Sequence, residues 1–119
     1  MTVVAPADGV ECRQATRVLI DMPGPAYLRI TRDATPVIFG EDYKFVLGQV
    51  VPLPDGKDLT IIGTGVQSVR ALEACDLLAK EGISAHLVHV PTLKPIDVDG
   101  AVAEVLGQNH PVPMKIHGL

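Results

Sequence analysis

An α/β fold built on a mostly parallel sheet is predicted by three observations. The apolar residues are aliphatic: 119 residues include no Trp, two Tyr and two Phe, a composition suited to parallel strands covered by helices. Two stretches read strand, helix, strand in close succession, for which a right-handed parallel crossover is the default. Between them runs a segment with no hydrophobic period, which divides the chain into units at 1–31 and 58–119 joined by an inter-domain linker at 32–57.

The first unit opens on the β-branched run Thr2, Val3, Val4, which breaks at Pro6. Asp8 followed three residues later by Glu11 is a reciprocal capping pattern, each side chain able to accept a free backbone N–H of a first helical turn, so a helix starts at Asp8. Val10, Ala15, Val18 and Leu19 recur at helical spacing until Pro23, Gly24 and Pro25 stop the run. The residues Ala-Tyr-Leu-Arg-Ile at 26–30 make a second strand. Two strands alone leave faces and edges uncovered, so this unit is too small to stand by itself.

The linker holds three Pro and three Gly around one extended run, Phe45 to Val51, expected as a short strand or hairpin. In the second unit, Leu-Thr-Ile-Ile-Gly at 59–63 is a buried-strand run, and a helix follows whose apolar face carries Val66, Val69, Leu72, Ala74, Leu77 and Leu78. Gly82 stands where a helix end wants a left-handed residue. The run 84–90 is the next strand, Thr-Leu-Lys-Pro-Ile-Asp leads away from it, and a short helix and a last extended run at 112–119 complete the chain.

Charge excludes some functions. Lys and Arg total 10 against 14 Asp and Glu, scattered without a basic stripe, so no nucleic-acid partner is expected. The apolar runs are short and carry charge or His, so no membrane partner is expected and the chain reads as soluble and cytoplasmic. Cys12 and Cys75 have no metal-ligand spacing and read as reduced, separately packed thiols.

Three stretches, VVAPADGVE with GPAYLRITR, then GKDLTIIGTGVQSVRALEACDLLAKEGISAHLVHVPTLKPID, then AVAEVLGQNHPVPMKIHGL, resemble the transketolase family. The middle one is the most specific: a Gly-Lys-Asp turn, an apolar strand ending in Gly-Thr-Gly, an Ala-rich helix ending Glu-Gly-Ile, and a strand running into Leu-Lys-Pro-Ile-Asp. The resemblance implies that 1–31 ends a pyrimidine-binding domain and that 58–119 is a transketolase C-terminal-like α/β domain. It implies an enzyme that moves a two-carbon ketol unit between sugar phosphates with thiamine diphosphate and magnesium, as a dimer or other homo-oligomer. The Gly-Asp-Gly with its following Asn is missing, as is the upstream Glu that activates the cofactor. The chain alone is therefore expected to be inactive, to bind neither cofactor nor metal, and to need the remaining domains or an N-terminal subunit as partner. The alternatives are an assembly module of a related deoxyxylulose-phosphate synthase or 2-oxoacid dehydrogenase beta-type subunit, and a small nucleotide-binding domain.

The second departure lies near Gly100 and Ala101, where two places that the family keeps far apart in sequence become adjacent. The domain is expected to be incomplete near 97–102. A backbone break is expected between Asp97 and Val102, visible as successive α-carbons more than about 3.8 Å apart.

No catalytic residue is assigned. Arg32 lies just past a strand's C-terminal end, where α/β sheets place ligands, and its fork of donors suits a phosphate; the resemblance implies that it holds the sugar phosphate. The alternative is an ion pair with Asp33 or Glu41, and Arg29 is expected to be a structural ion-pair partner. Gly63-Thr64-Gly65 fits a tight turn better than a dinucleotide fingerprint, because Ser68 occupies the third glycine position. His86 and His89, three apart on one strand, face opposite sides and cannot share a metal; with His110 and His117 they read as structural or surface residues. No Ser-His-Asp set is expected.

Overall fold

A computed structural model describes residues 1–107. The extended run expected at 112–119, His110 and His117 lie outside the described residues. Both strand–helix–strand units are present. In the first, β1 (Thr2–Val4) and β2 (Ala26–Leu28) pair in parallel and are joined by α1 (Gly9–Asp21). In the second, β4 (Leu59–Gly63) and β5 (Ala85–His89) pair in parallel across α2 (Val66–Lys80).

Each parallel pair acquires one antiparallel strand, so the sheets are mixed. β3 (Val51–Pro52) pairs with β5, giving the order β3-β5-β4. β6 (Thr92–Lys94) crosses over to pair with β1, giving β2-β1-β6. Because β6 follows β5 within the second unit, the ladder between β6 and β1 stitches that unit to the first.

The helix ends follow local chemistry. Asp8 caps α1, its Oδ1 accepting the Glu11 N–H at 2.9 Å. The return half of the capping pattern is shifted by one residue, since Glu11 accepts from the Ala7 N–H at 2.7 Å rather than from Asp8. At the end of α2, Gly82 has φ +81°, its N–H reaches the Ala79 carbonyl, and the Ile83 N–H reaches Leu78. This six-to-one and five-to-two pair of bonds satisfies the last helical carbonyls.

The segment 32–57, expected as the linker, also packs the two units together. Phe45 joins Val4 and Ala15 under α1, while Phe39 joins Ala7 and Val69 where α1 and α2 approach. Burying each ring contributes about 1.5–3 kcal/mol. The run expected as a strand at Phe45–Val51 is irregular up to Val50, and only Val51 and Pro52 pair. The reason is tertiary: the Phe45 N–H is taken by the Gln14 side chain at 2.8 Å, so it is not available to a ladder.

On α2 the buried face is turned slightly from the one expected. Val69, Ser68 and Cys75 are buried and Leu72 and Leu78 are partly so, but Leu77 is 62 % exposed.

No break separates Asp97 from Val102. Asp97 immediately precedes and Val102 lies within one continuous helix, α3 (Val98–Gly107), where the Ala101 N–H bonds the Asp97 carbonyl at 3.1 Å and the Asp97 carboxylate caps the Gly100 N–H at 2.9 Å. The two stretches are both helix-forming, so they fuse into one element. Among the described residues its apolar side chains Val98, Val102 and Leu106 are all exposed.

Candidate functional site

Two features stand where the units meet: a buried polar network and, beside it, a pair of cavities. The network begins at Glu11, held inward because α1 starts at the end of β1 and turns its first face toward β5. Glu11 Oε2 accepts from the Ala7 N–H and lies 2.8 Å from His89 Nε2, while Oε1 accepts from the Tyr43 hydroxyl at 2.5 Å. His89 Nδ1 is 2.6 Å from Ser68 Oγ on α2. Glu11, His89 and Ser68 all have 0 % exposure.

One proton arrangement satisfies every member. With its proton on Nε2, His89 donates to the Glu11 carboxylate and accepts from Ser68 at Nδ1. Tyr43 donates as well, and its ring stacks on Phe39 with centroids 3.9 Å apart. Burial first, then the hydrogen bond and charge of Glu11 and the charge of Asp8, push the Tyr43 phenol far above its ordinary value.

A buried Ser-His-Glu chain therefore exists, a different set from the Ser-His-Asp one considered above; its members come from α1, α2 and β5 and no local spacing announces it. All three members are fully buried, and their hydrogen bonds join the two units. Asp8 acts beside it: besides capping α1, its Oδ2 accepts from the Ile38 and Phe39 N–H groups at 2.7 and 2.9 Å. Those bonds anchor the loop that carries Arg32.

The cavities open at the C-terminal ends of β1 and β2, the edge where α/β sheets receive ligands. One, of about 230 Å3, is lined by Arg29, Thr31, Thr64 and Gln67 among others. The other, of about 180 Å3, includes Asp8, Cys12, Thr31 and Asp33. Arg32 follows Thr31 directly and is exposed. Among the described residues it makes no ion pair with Asp33 or Glu41, and Arg29, expected to be paired, makes none either.

The remaining candidates fall into place. His86 is buried, with Nε2 at 3.1 Å from Glu104 and Nδ1 at 3.5 Å from Asp55, so the two strand histidines engage different partners. Gly65 has φ +55°, and a Cβ at Gly63 would press on Ser68. The glycines thus serve the turn and the close approach of α2.

Residues 48–113, more than half of the chain, match the family described as Transketolase, C-terminal domain. The chain belongs to the transketolase C-terminal domain family. A transketolase family protein of Sinorhizobium fredii is 39% identical over 94% of this chain and 35% of its own length. An apulose-4-phosphate transketolase subunit of Phocaeicola vulgatus is 34% identical over 100% of this chain and 46% of its own length. Among solved structures, a split gene transketolase described as an inactive beta4 tetramer superposes with a TM-score of 0.79 at 34% identity, over 95% of this chain and 46% of that one.

The chain thus spans between a third and a half of the length of these transketolase relatives. The alignment with the Phocaeicola protein runs over 145 positions and takes in all 119 residues here, so about 26 positions have no counterpart in this chain.

Proposed function

We propose that this chain works as part of a transketolase-type transferase that moves a two-carbon ketol unit between sugar phosphates, and that it is not catalytic by itself. The observation that carries the reading is the superposition on a split gene transketolase across nearly the whole chain. That relative is described as an inactive beta4 tetramer, which supports a homo-oligomer that waits for a partner. The partner would be the remaining domains or an N-terminal subunit. On the same reading residues 1–31 end a pyrimidine-binding domain, 58–119 form the C-terminal domain, and the protein is cytoplasmic; no helix among the described residues is long and apolar enough to cross a membrane.

The family uses thiamine diphosphate, and magnesium would hold its diphosphate. The inward-facing carboxylates of this chain do not fit that role. Both Asp8 oxygens and both Glu11 oxygens are engaged by protein donors and both side chains are buried, which disfavours either as a ligand to a metal or an aminopyrimidine. The cofactor therefore belongs to the partner, and what this chain supplies is Arg32, exposed at the strand ends, as the contact to the sugar phosphate.

Reconstitution tests the reading. Ketol transfer should be absent with this chain alone and appear when an N-terminal transketolase subunit, thiamine diphosphate and magnesium are added. Transfer by this chain without a partner would overturn it.

A further inference from the structure

Arg29 is the residue that the family reading leaves unused. Its backbone N–H extends the β1–β2 ladder to the Val4 carbonyl at 2.8 Å, which places the residue at the C-terminal strand end. Its guanidinium has no hydrogen-bond or ion-pair partner among the described residues. It lines the cavity of about 230 Å3, whose walls come from both units: Ala5, Pro6 and Thr31 on one side, Thr64 and Gln67 on the other.

The lining sets the sign of a ligand. No Asp or Glu lines this cavity, so an unpaired guanidinium dominates its field. The neighbouring cavity holds the acids: Asp8, engaged by three backbone N–H groups, and Asp33, whose N–H is held by the Thr31 hydroxyl oxygen at 3.2 Å. The Thr64 hydroxyl already donates to the Val90 carbonyl at 2.7 Å, so the donors left to a guest are Arg29, Thr31 and Gln67. A planar fork plus two neutral donors matches a group with several terminal oxygens, and a pocket between two units is a usual place for a small ligand.

We propose that this cavity is an anion site for a phosphate group, free or on a small monoester, with Arg29 as its anchor. The bound phosphate ties the end of β2 to the start of α2, so occupancy holds the two units together. Nothing in this depends on the reading of Arg32.

The test is thermal unfolding and calorimetric titration of the full 119-residue chain with inorganic phosphate and with glycerol 3-phosphate, at constant ionic strength set by chloride. A saturable rise in Tm is expected with at least one of them, because a ligand that binds only the folded state stabilises it. Arg29→Gln should weaken binding on the order of ten-fold or more, given the strength of a charge-assisted contact. Arg17→Gln, which removes the same charge from an exposed position on α1, should bind as the wild type does, which separates a local contact from a change in net charge. Tighter binding of glycerol 3-phosphate identifies an ester as the guest; equal binding identifies phosphate itself. Absence of saturable stabilisation by either anion, or equal affinity in Arg29→Gln and wild type, would overturn the proposal. Arg29 is exposed, so circular dichroism of Arg29→Gln should match wild type. Phosphate should also shift the Arg29 Nε–H resonance, a readout that needs no substitution, and an unmoved resonance at saturation would equally overturn it.

Discussion

Glu11 and His89 stand 78 residues apart in the chain, and their side chains meet in a hydrogen bond of 2.8 Å with neither exposed. One belongs to the first strand–helix–strand unit and the other to the second. With Ser68 and Tyr43 they form a polar chain inside the apolar core, at the place where the two units meet.

Glu11→Gln should be among the costliest single changes in the molecule. The carboxylate accepts from Ala7, Tyr43 and His89, and an amide would turn its own donors against at least one of them. A buried polar group left unmatched in this way costs about 3 kcal/mol or more, a large part of a net stability of about 5–15 kcal/mol. Urea unfolding measures it. Tyr43→Phe should lose about 1.5–3 kcal/mol, and the double mutant should lose less than the sum, since both act on the same oxygens. Additive losses would show that the two side chains are not coupled.

Tyr43 makes a prediction at alkaline pH. Its phenol is raised above the unfolded value of about 10, so the stability it contributes is fully present below that pH and is lost as pH rises through the folded value. Stability should therefore fall above about pH 10, with a slope that Tyr43→Phe reduces. The difference in ultraviolet titration between wild type and this variant should show no Tyr43 phenolate while the chain stays folded. Phenolate formation from Tyr43 near pH 10 without unfolding would contradict the burial and hydrogen bond described.

Gly56→Ala should destabilise by about 1–3 kcal/mol, because a Cβ there would collide with the Ala85 carbonyl and the His86 nitrogen, both backbone atoms of the central strand. Gly9→Ala is the control. A Cβ at Gly9 meets nothing within 4 Å, so its effect should be small or stabilising by about 0.4–1 kcal/mol. Thermal unfolding of the two variants side by side checks the contrast, and equal midpoints would refute it.

Arg32→Ala, in an enzyme reconstituted with its partner, should raise KM for phosphorylated substrates by tens-fold, since a charge-assisted phosphate contact is worth about 1.5–3 kcal/mol. Unphosphorylated acceptors should be affected far less. Identical kinetics for variant and wild type would remove Arg32 from the site.

Much of this molecule was legible in its sequence because much of it is decided within a few residues. The two strand–helix–strand units, the Asp8 cap and the Gly82 stop each depend on neighbours no more than a turn or a loop away, and period and turn chemistry report such neighbours directly. The quoted stretches were enough to mark the family.

Tertiary structure decided the rest. Nothing local tells that Glu11 will leave its capping partner for Ala7, His89 and Tyr43, that Phe39 and Phe45 will fill the seam between units, or that β6 will cross to β1. Nor does spacing show that Arg29 stays unpaired beside a cavity. Apart from the Glu11–Ala7 bond, these are contacts between residues tens of positions apart, and their partners are chosen by how the two sheets pack, a choice that exists only once the whole chain has folded.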